Sequence, residues 1–242
     1  TLDLSSWNLA FNGAEPVLAS TLDAFTKMFE PCGFRREAFY PCYGMAEATL
    51  IVSGGLRAAL PVVRTFDGKS LENNTVVDAL PDEADSRELV GCGGNLLDQR
   101  IVIADRDKQT SVPDDCVGEV WVAGPSVAQG YWNQPEATAK TFHAFLKDTG
   151  EGPFLRTGDL GFLKDGELFI TGRLKDLIII RGRNYYPQDI EQTVGNAHAL
   201  IRPGQGAAIV INEGGRERLA IVFEVERGKN HNFPEIMDAI RR

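Results

Sequence analysis

The chain has 242 residues, 43% of them hydrophobic and 24% charged, the composition of a soluble protein with one large domain or two smaller ones. A net charge of −9 argues against nucleic acid as a partner, because phosphate contacts need clustered Lys and Arg. No run approaches the roughly eighteen apolar residues of a membrane span, the N-terminal TLDLSSWNLAF has no basic stretch ahead of an apolar one, and Cys32, Cys42, Cys92 and Cys116 form no CxxC pair. The sequence therefore predicts a cytoplasmic protein with free thiols.

Trp7 to Phe11 reads as a short buried strand, and Asn12-Gly13-Ala14-Glu15-Pro16 as a turn into a helix. Leu18, Leu22, Phe25 and Phe29 form one apolar helical stripe, stopped by Gly33. Strand, glycine turn and helix make an α/β unit, in which ligands gather at the carboxyl ends of strands, where Asn12 to Glu15 stand. Ala38 to Cys42 is the next strand, followed by Tyr43-Gly44-Met45-Ala46-Glu47-Ala48-Thr49 as loop and helix start. An aromatic ring beside a glycine can lie on a purine. Glu47 can face a hard metal ion such as Mg²⁺, which favours carboxylate oxygens and keeps several waters.

From Gly54 to Gly94 the chain is broken by Pro61, Phe66-Asp67-Gly68, Asn73-Asn74 and the acidic run Pro81 to Asp85, so that Pro61 to Phe66 and Asn74 to Leu80 alone read as strands. A segment this irregular is usually functional or mobile. Gln99 to Ala104 and Val117 to Gly124 are strands flanking the charged turn Asp105 to Lys108, and predict a small antiparallel barrel-like subdomain. Gly124 to Trp132 and the helix Pro135 to Phe142 are taken as structural. His143, His198 and His231 stand at no catalytic spacing from a Ser or Cys, which excludes a histidine-dependent triad.

The densest mixture of charge and glycine runs from Phe154 to Glu191. Leu155 to Asp159 ends a short strand-like run on a carboxylate that can take two vicinal hydroxyls. Asp165-Gly166 between GFLK and ELFI is a hairpin signal. That hairpin returns the chain to Arg173, close to Asp159, with a fork suited to phosphate or ribose oxygens. Leu177 to Ile180 predicts a buried strand, closed by Arg181-Gly182-Arg183, and Pro187 a helix start. After Lys175 a smaller α+β domain is expected, with a helix from Pro187 to Val194, strands from Ala207 to Asn212 and Leu219 to Val225, and a helix from Pro234 to Ile240.

TGDLG, GELFITGRLKD and IIIRGRNYYPQDIE resemble the adenylate-forming superfamily of acyl ligases, and within it the fatty acyl-AMP ligases, over essentially the whole chain. The resemblance implies an α/β adenylate-forming fold, in part: residues 1–174 as the rear of the large nucleotide- and acyl-binding domain and 175–242 as a small, incomplete C-terminal domain. It implies that a fatty acid carboxylate attacks the α-phosphate of ATP, pyrophosphate leaves, and the acyl group passes to the phosphopantetheine thiol of an acyl carrier protein, as in polyketide biosynthesis. Gly13, Ala14 and Glu15 carry over as neighbours of the adenine, Tyr43, Gly44 and Met45 as further nucleotide-binding residues, and Asp159 with Arg173 as the ribose and phosphate site. Glu47 carries over as the Mg²⁺ residue and Lys175 as the hinge.

Ala46 departs from the superfamily, which places Thr before the glutamate. Residues 66–92 correspond to an insertion expected to disfavour free coenzyme A by restricting the small domain, and Ile179 stands where several coenzyme A ligases carry lysine. Arg173, Arg181 and Arg183 are the candidates for a basic patch toward a carrier protein. Neither a glycine- and hydroxyl-rich phosphate loop nor the superfamily's C-terminal lysine is found, so function belongs to a longer parent enzyme and the chain alone is expected to be inactive. The alternatives are an acyl-CoA ligase and a non-catalytic nucleotide- or carrier-binding fragment.

Overall fold

The computed structural model describes every residue except 1, 84, 97, 181–182, 214–215, 229–231 and 242, and gives only the backbone of Asn212, Glu213, Arg216 and Glu217. The chain folds as two compact units, Thr1–Leu174 and Lys175–Arg242. The first contains, in order, β1 (Ala10–Asn12), α1 (Ala19–Phe29), β2 (Phe39–Met45), β3 (Leu50–Gly54), β4 (Val63–Asp67), α2 (Gly68–Glu72), β5 (Ser86–Val90) and β6 (Gly94–Asn95). It continues with β7 (Arg100–Ala104), β8 (Gly118–Ala123), α3 (Pro135–Phe142), β9 (Leu155–Lys164) and β10 (Glu167–Arg173).

The first sheet has the order β1-β2-β3-β6, with β1 parallel to β2 and Asn12 opposite Pro41. Beneath it Ala10, Ala19, Leu22, Phe34, Ala38 and Phe39 form one cluster, so α1 is held by the apolar stripe its sequence announces. The first strand is shorter than expected and its aromatics are not buried: Trp7 is 40% and Phe11 62% exposed. Side chains alternate along a strand, and the inward position belongs to Ala10. Trp7 instead lies edge-on to Phe25 and Phe34 from outside.

Tyr43 to Met45, expected in a loop, continue β2 as strand. The pairing with β3 brings the Leu50 carbonyl so close to Gly44 that a Cβ there would lie 1.7 Å from it, which reserves the position for glycine. Ala46–Ala48 is then a single 3₁₀ turn rather than the start of a helix, and Thr49 and Leu50 turn the chain with left-handed φ of 55° and 86°.

The second sheet is antiparallel in the order β10-β9-β8-β7, an open four-stranded array where a barrel-like form was expected. Val120 and Val122 pack into the core on one face and Trp121 on the other, so β8 is buried on both sides. The β9–β10 hairpin turns at Asp165-Gly166, both with positive φ (53° and 80°), the primed turn that matches strand twist.

Residues 66–92 depart most from expectation. Asn74 to Leu80 forms isolated bridges only, with Asn74 left-handed at φ 59°, while Ser86–Val90, after the acidic run, supplies β5, which pairs with β4. Asp67 caps α2 by accepting the Ser70 amide at 2.8 Å. Phe66 is fully buried, edge-on to Phe162 at 5.0 Å and Phe169 at 5.3 Å. The segment is stitched to the β9–β10 hairpin by Lys164 to Asp78 and by the Arg87 guanidinium to the Thr171 carbonyl, and its flanks by Arg64 to Asp165 and the Gly93 amide to Glu167. It is thus a built part of the first unit and not an irregular excursion.

The second unit contains β11 (Ile178–Ile180), β12 (Arg183–Tyr185), α4 (Pro187–Ala197), β13 (Ile201–Glu213), β14 (Arg216–Val225) and α5 (Phe233–Arg241). Val194, Ile201 and Ile236 form its core, flanked by Ile190, Leu200, Ile221 and Phe223. Pro187 opens α4 as its sequence predicts. β11 is shorter than expected, because Leu177 lies outside it, and β13 starts earlier, at Ile201, through an irregularity before Gly206 that alternation does not reveal. No helix among the described residues is long and apolar enough to cross a membrane.

Candidate functional site

The parallel pairing of β1 and β2 sets the carboxyl end of β1 beside Pro41, and β2 runs on in the same direction to Met45. Gly13 follows β1 against the Cys42 carbonyl, from which an added Cβ would lie 2.9 Å, and Ala14 turns away with a left-handed φ of 71°. Gly13, Ala14 and Glu15 are exposed. At the end of β2, Met45 and the Tyr43 ring are partly buried against the main core cluster.

The Tyr43 hydroxyl donates to Asp159 Oδ2 at 2.7 Å, and Arg173 Nε donates to Asp159 Oδ1 at 2.8 Å. Asp159 is 5% exposed, whereas the Arg173 side chain is 52% exposed. Burial, reinforced by the neighbouring Asp159 carboxylate, pushes the Tyr43 phenol far above its ordinary value, so it remains a donor. Tyr43, Asp159 and Arg173 therefore form one bonded group. Arg173 lies directly opposite Asp159 in the β9–β10 register: the Asp-Gly hairpin brings the two close, and a register shift between Ile170 and Gly172 sets them face to face.

What holds Asp159 in place was not singled out in the sequence. Glu119 pairs with Leu160 and Trp121 with Arg156, so Thr157, Gly158 and Asp159 bulge from β9 opposite Val120. Gly158 has φ +72°, which favours glycine. The Thr157 hydroxyl donates to the Val120 carbonyl at 2.7 Å and accepts the Asp159 amide at 3.0 Å. Behind the bulge Glu119, 2% exposed, accepts the Gly158 amide on Oε1 at 3.2 Å and Arg156 Nε and Nη2 on Oε2 at 3.0 and 2.7 Å. The Arg156 guanidinium also lies 5.4 Å from the Trp121 ring centre. A buried glutamate thus shapes the backbone that presents Asp159.

Glu47 is bonded to a different partner. Its Oε1 accepts the Tyr131 hydroxyl at 2.7 Å, its carbonyl accepts the Ala128 amide at 2.8 Å, and Thr49 donates to the Ser126 carbonyl at 2.5 Å. The stretch from Gly124 to Trp132, taken as structural, thus reaches a predicted site residue. Among the described residues no cluster of three or more His, Cys, Asp or Glu could hold a metal, so a cation at Glu47 would take its other oxygens from a ligand and water. Lys175 is exposed in the 3₁₀ turn Leu174–Asp176, where the second unit begins. Arg183 is exposed on β12 of the second unit, Arg173 belongs to the first, and Arg181 lies outside the described residues.

Residues 1–132 match the model of the family described as AMP-binding enzyme. The chain is 52% identical to the medium-chain-fatty-acid–[acyl-carrier-protein] ligase JamA of Moorena producens, over 99% of its length and 41% of the relative's. It is 39% identical to the long-chain-fatty-acid–AMP ligase FadD32 of Mycolicibacterium smegmatis, over 87% of this chain and 35% of that one. Among solved structures it resembles the fatty acyl-adenylate ligase of L. pneumophila in complex with acyl adenylate and pyrophosphate, at 44% identity and a TM-score of 0.71, covering 99% of this chain and 42% of that one. A second, from work on fatty acyl-adenylate ligases of E. coli and L. pneumophila, reaches a TM-score of 0.85 at 34% identity, covering 99% and 41%. The chain spans about two fifths of the length of these relatives. Its α/β architecture is that of part of an adenylate-forming enzyme, and the chain belongs to the AMP-binding enzyme family.

Proposed function

We propose that the chain forms the nucleotide-holding rear part of a fatty acyl-AMP ligase, which activates a fatty acid with ATP and passes the acyl group to an acyl carrier protein. The observation that carries this reading is the Asp159 carboxylate, buried, fixed by the bulge, and bonded to Tyr43 and Arg173. A carboxylate offers about four acceptor sites. Tyr43 and Arg173 take two of them, which leaves two for the ribose hydroxyls. Gly13 to Glu15 and Tyr43 to Met45, on neighbouring strand ends, supply the adenine side.

In the first step the fatty acid carboxylate oxygen bonds to the α-phosphorus and the bond to pyrophosphate breaks. In the second the carrier thiol takes the acyl group and AMP leaves. Charge develops on the phosphates, and Arg173 is the permanent cation nearest Asp159. Glu47 offers a hard carboxylate oxygen, which fits Mg²⁺ held jointly with ATP phosphates; when bound, that ion offsets phosphate charge. Lys175 is the proposed hinge between the two steps. Residues 66–92 are proposed to bias the acceptor against coenzyme A. Because Phe66 anchors them in the core, a test of that bias has to leave them in place. Four free cysteines fit a reducing cytoplasm.

The test is to incubate the full-length protein with ATP, Mg²⁺ and a ladder of fatty acids, and to separate acyl-AMP by mass. Acyl-AMP, transferred to a phosphopantetheinylated carrier protein in preference to coenzyme A, is the expected result. No acyl-AMP with any acid would refute the ligase reading, and equal transfer to coenzyme A would favour the acyl-CoA ligase alternative.

A further inference from the structure

We propose that Tyr131 is a positioning residue for Glu47: its hydroxyl, held by the loop after β8, fixes one carboxylate oxygen so that the other meets the nucleotide-bound cation. The proposal deepens the Mg²⁺ reading of Glu47 and rests on it.

The phenol is itself held at several points. The Tyr131 amide donates to Thr138 Oγ1 on α3 at 2.9 Å, and the ring stands edge-on to Phe142 at 5.0 Å. Phe142 is 4% exposed in the main core cluster, so the ring leans on a rigid wall. Gly130 has φ +151°, and a Cβ there would lie 2.2 Å from Thr138 Cγ2, which lets the loop pass close to α3. From this seat the hydroxyl spans 84 positions of sequence to reach Glu47 Oε1 at 2.7 Å.

Glu47 is pinned from the same loop. Its carbonyl accepts the Ala128 amide, and the adjacent Thr49 hydroxyl donates to the Ser126 carbonyl, so main chain and side chain are gripped by one segment. Among the described residues Oε2 has no hydrogen-bond partner, which leaves it for a cation. A partner that orients a metal-binding carboxylate typically changes metal affinity by about 10–100-fold when removed.

The experiment measures ATP binding calorimetrically to the full-length protein, in Mg²⁺ and in EDTA, for wild type, Tyr131→Phe, Glu47→Gln and the double variant. Phenylalanine keeps the ring on Phe142 and removes only the donor. The expected result is that Tyr131→Phe loses about tenfold or more of the affinity gained from Mg²⁺. Metal-free ATP binding stays at the wild-type value, and the double variant matches Glu47→Gln alone. A purely structural role would weaken both measurements together. Wild-type Mg²⁺ dependence in Tyr131→Phe, with that of Glu47→Gln reduced, overturns the role of Tyr131. Additive losses in the double variant also overturn it. Wild-type dependence in both single variants overturns the metal reading of Glu47 and this proposal with it.

Discussion

Replacing Glu119 by glutamine tests the idea that the bulge at Thr157–Asp159 is sustained from behind. The carboxylate is 2% exposed and takes three hydrogen bonds, two from the Arg156 guanidinium and one from the Gly158 amide. A glutamine of the same size keeps one acceptor oxygen, so either the guanidinium or the Gly158 amide meets an NH₂ group and loses its partner. Breaking a buried ion pair from one side costs about 3–5 kcal/mol. The Arg156 side chain is 20% exposed and can recover part of its hydration, which places the expected loss near the lower bound, about 3 kcal/mol. Trp7, Trp121 and Trp132 all lie in the first unit, so tryptophan fluorescence in a urea titration follows that unit alone. With a slope of about 2 kcal/mol/M, the midpoint should fall by about 1.5 M. A fall under about 0.3 M at unchanged slope would show that Glu119 does not sustain the bulge, and its proposed influence on Asp159 would go with it.

Asp159→Ala removes an acceptor of charged hydrogen bonds worth roughly 1.5–3 kcal/mol, so AMP binding to the full-length protein should weaken about ten- to a hundredfold in calorimetry; unchanged affinity in a folded variant would sink the ribose role. Phe66→Ala leaves a void against Phe162 and Phe169 and should cost about 3–5 kcal/mol in the same urea titration, whereas a segment merely draped on the surface would cost almost nothing. Burial raises the Glu167 carboxyl above its ordinary value of 4.5, against the opposing pull of the Gly93 amide. The folded state thus holds that proton after the unfolded chain has released it, and this group's contribution falls as pH rises through and just above 4.5. Glu167→Gln should flatten that part of the stability profile, and a profile parallel to wild type would contradict the shift. Lys175→Pro should fix φ at the proposed hinge and spare one of adenylation and transfer; equal losses in both would argue against a hinge there.

Local chemistry made parts of this fold legible. Asp165-Gly166 announced its hairpin because a primed turn needs two residues with positive φ, and that hairpin brought Arg173 close to Asp159; the register shift between Ile170 and Gly172, which sets the two directly opposite, was not legible. Pro135 and Pro187 marked helix starts for an equally local reason. Long-range register was not legible. Glu119 sits in an unremarkable strand pattern, and its meaning appears only when β8 and β9 pair out of step around Val120. Tyr131 was missed because its partner is 84 positions away. Asn74 to Leu80 read as a strand, but it meets β4 only at the single Phe66–Asp78 bridge, and the full ladder on β4 is formed by Ser86–Val90. Gly44 read as a loop glycine, although the close approach of the Leu50 carbonyl makes it a strand glycine.

The turn after Glu47 sets two consecutive non-glycine residues, Thr49 and Leu50, in left-handed backbone. Such a conformation costs roughly 1–2 kcal/mol per residue, more than a single 3₁₀ turn returns on its own. The β2–β3 pairing closes the turn at Met45 and Leu50, and the loop after β8 grips it from the other side through the Ala128 amide and the Thr49 hydroxyl. Opening one therefore loosens the other. In hydrogen exchange the amides of Thr49 and Ala128, bonded to Ala46 and Glu47 respectively, should open as one cooperative unit with a common free energy. Glu47 and Tyr131 would then be assembled or dispersed in a single event.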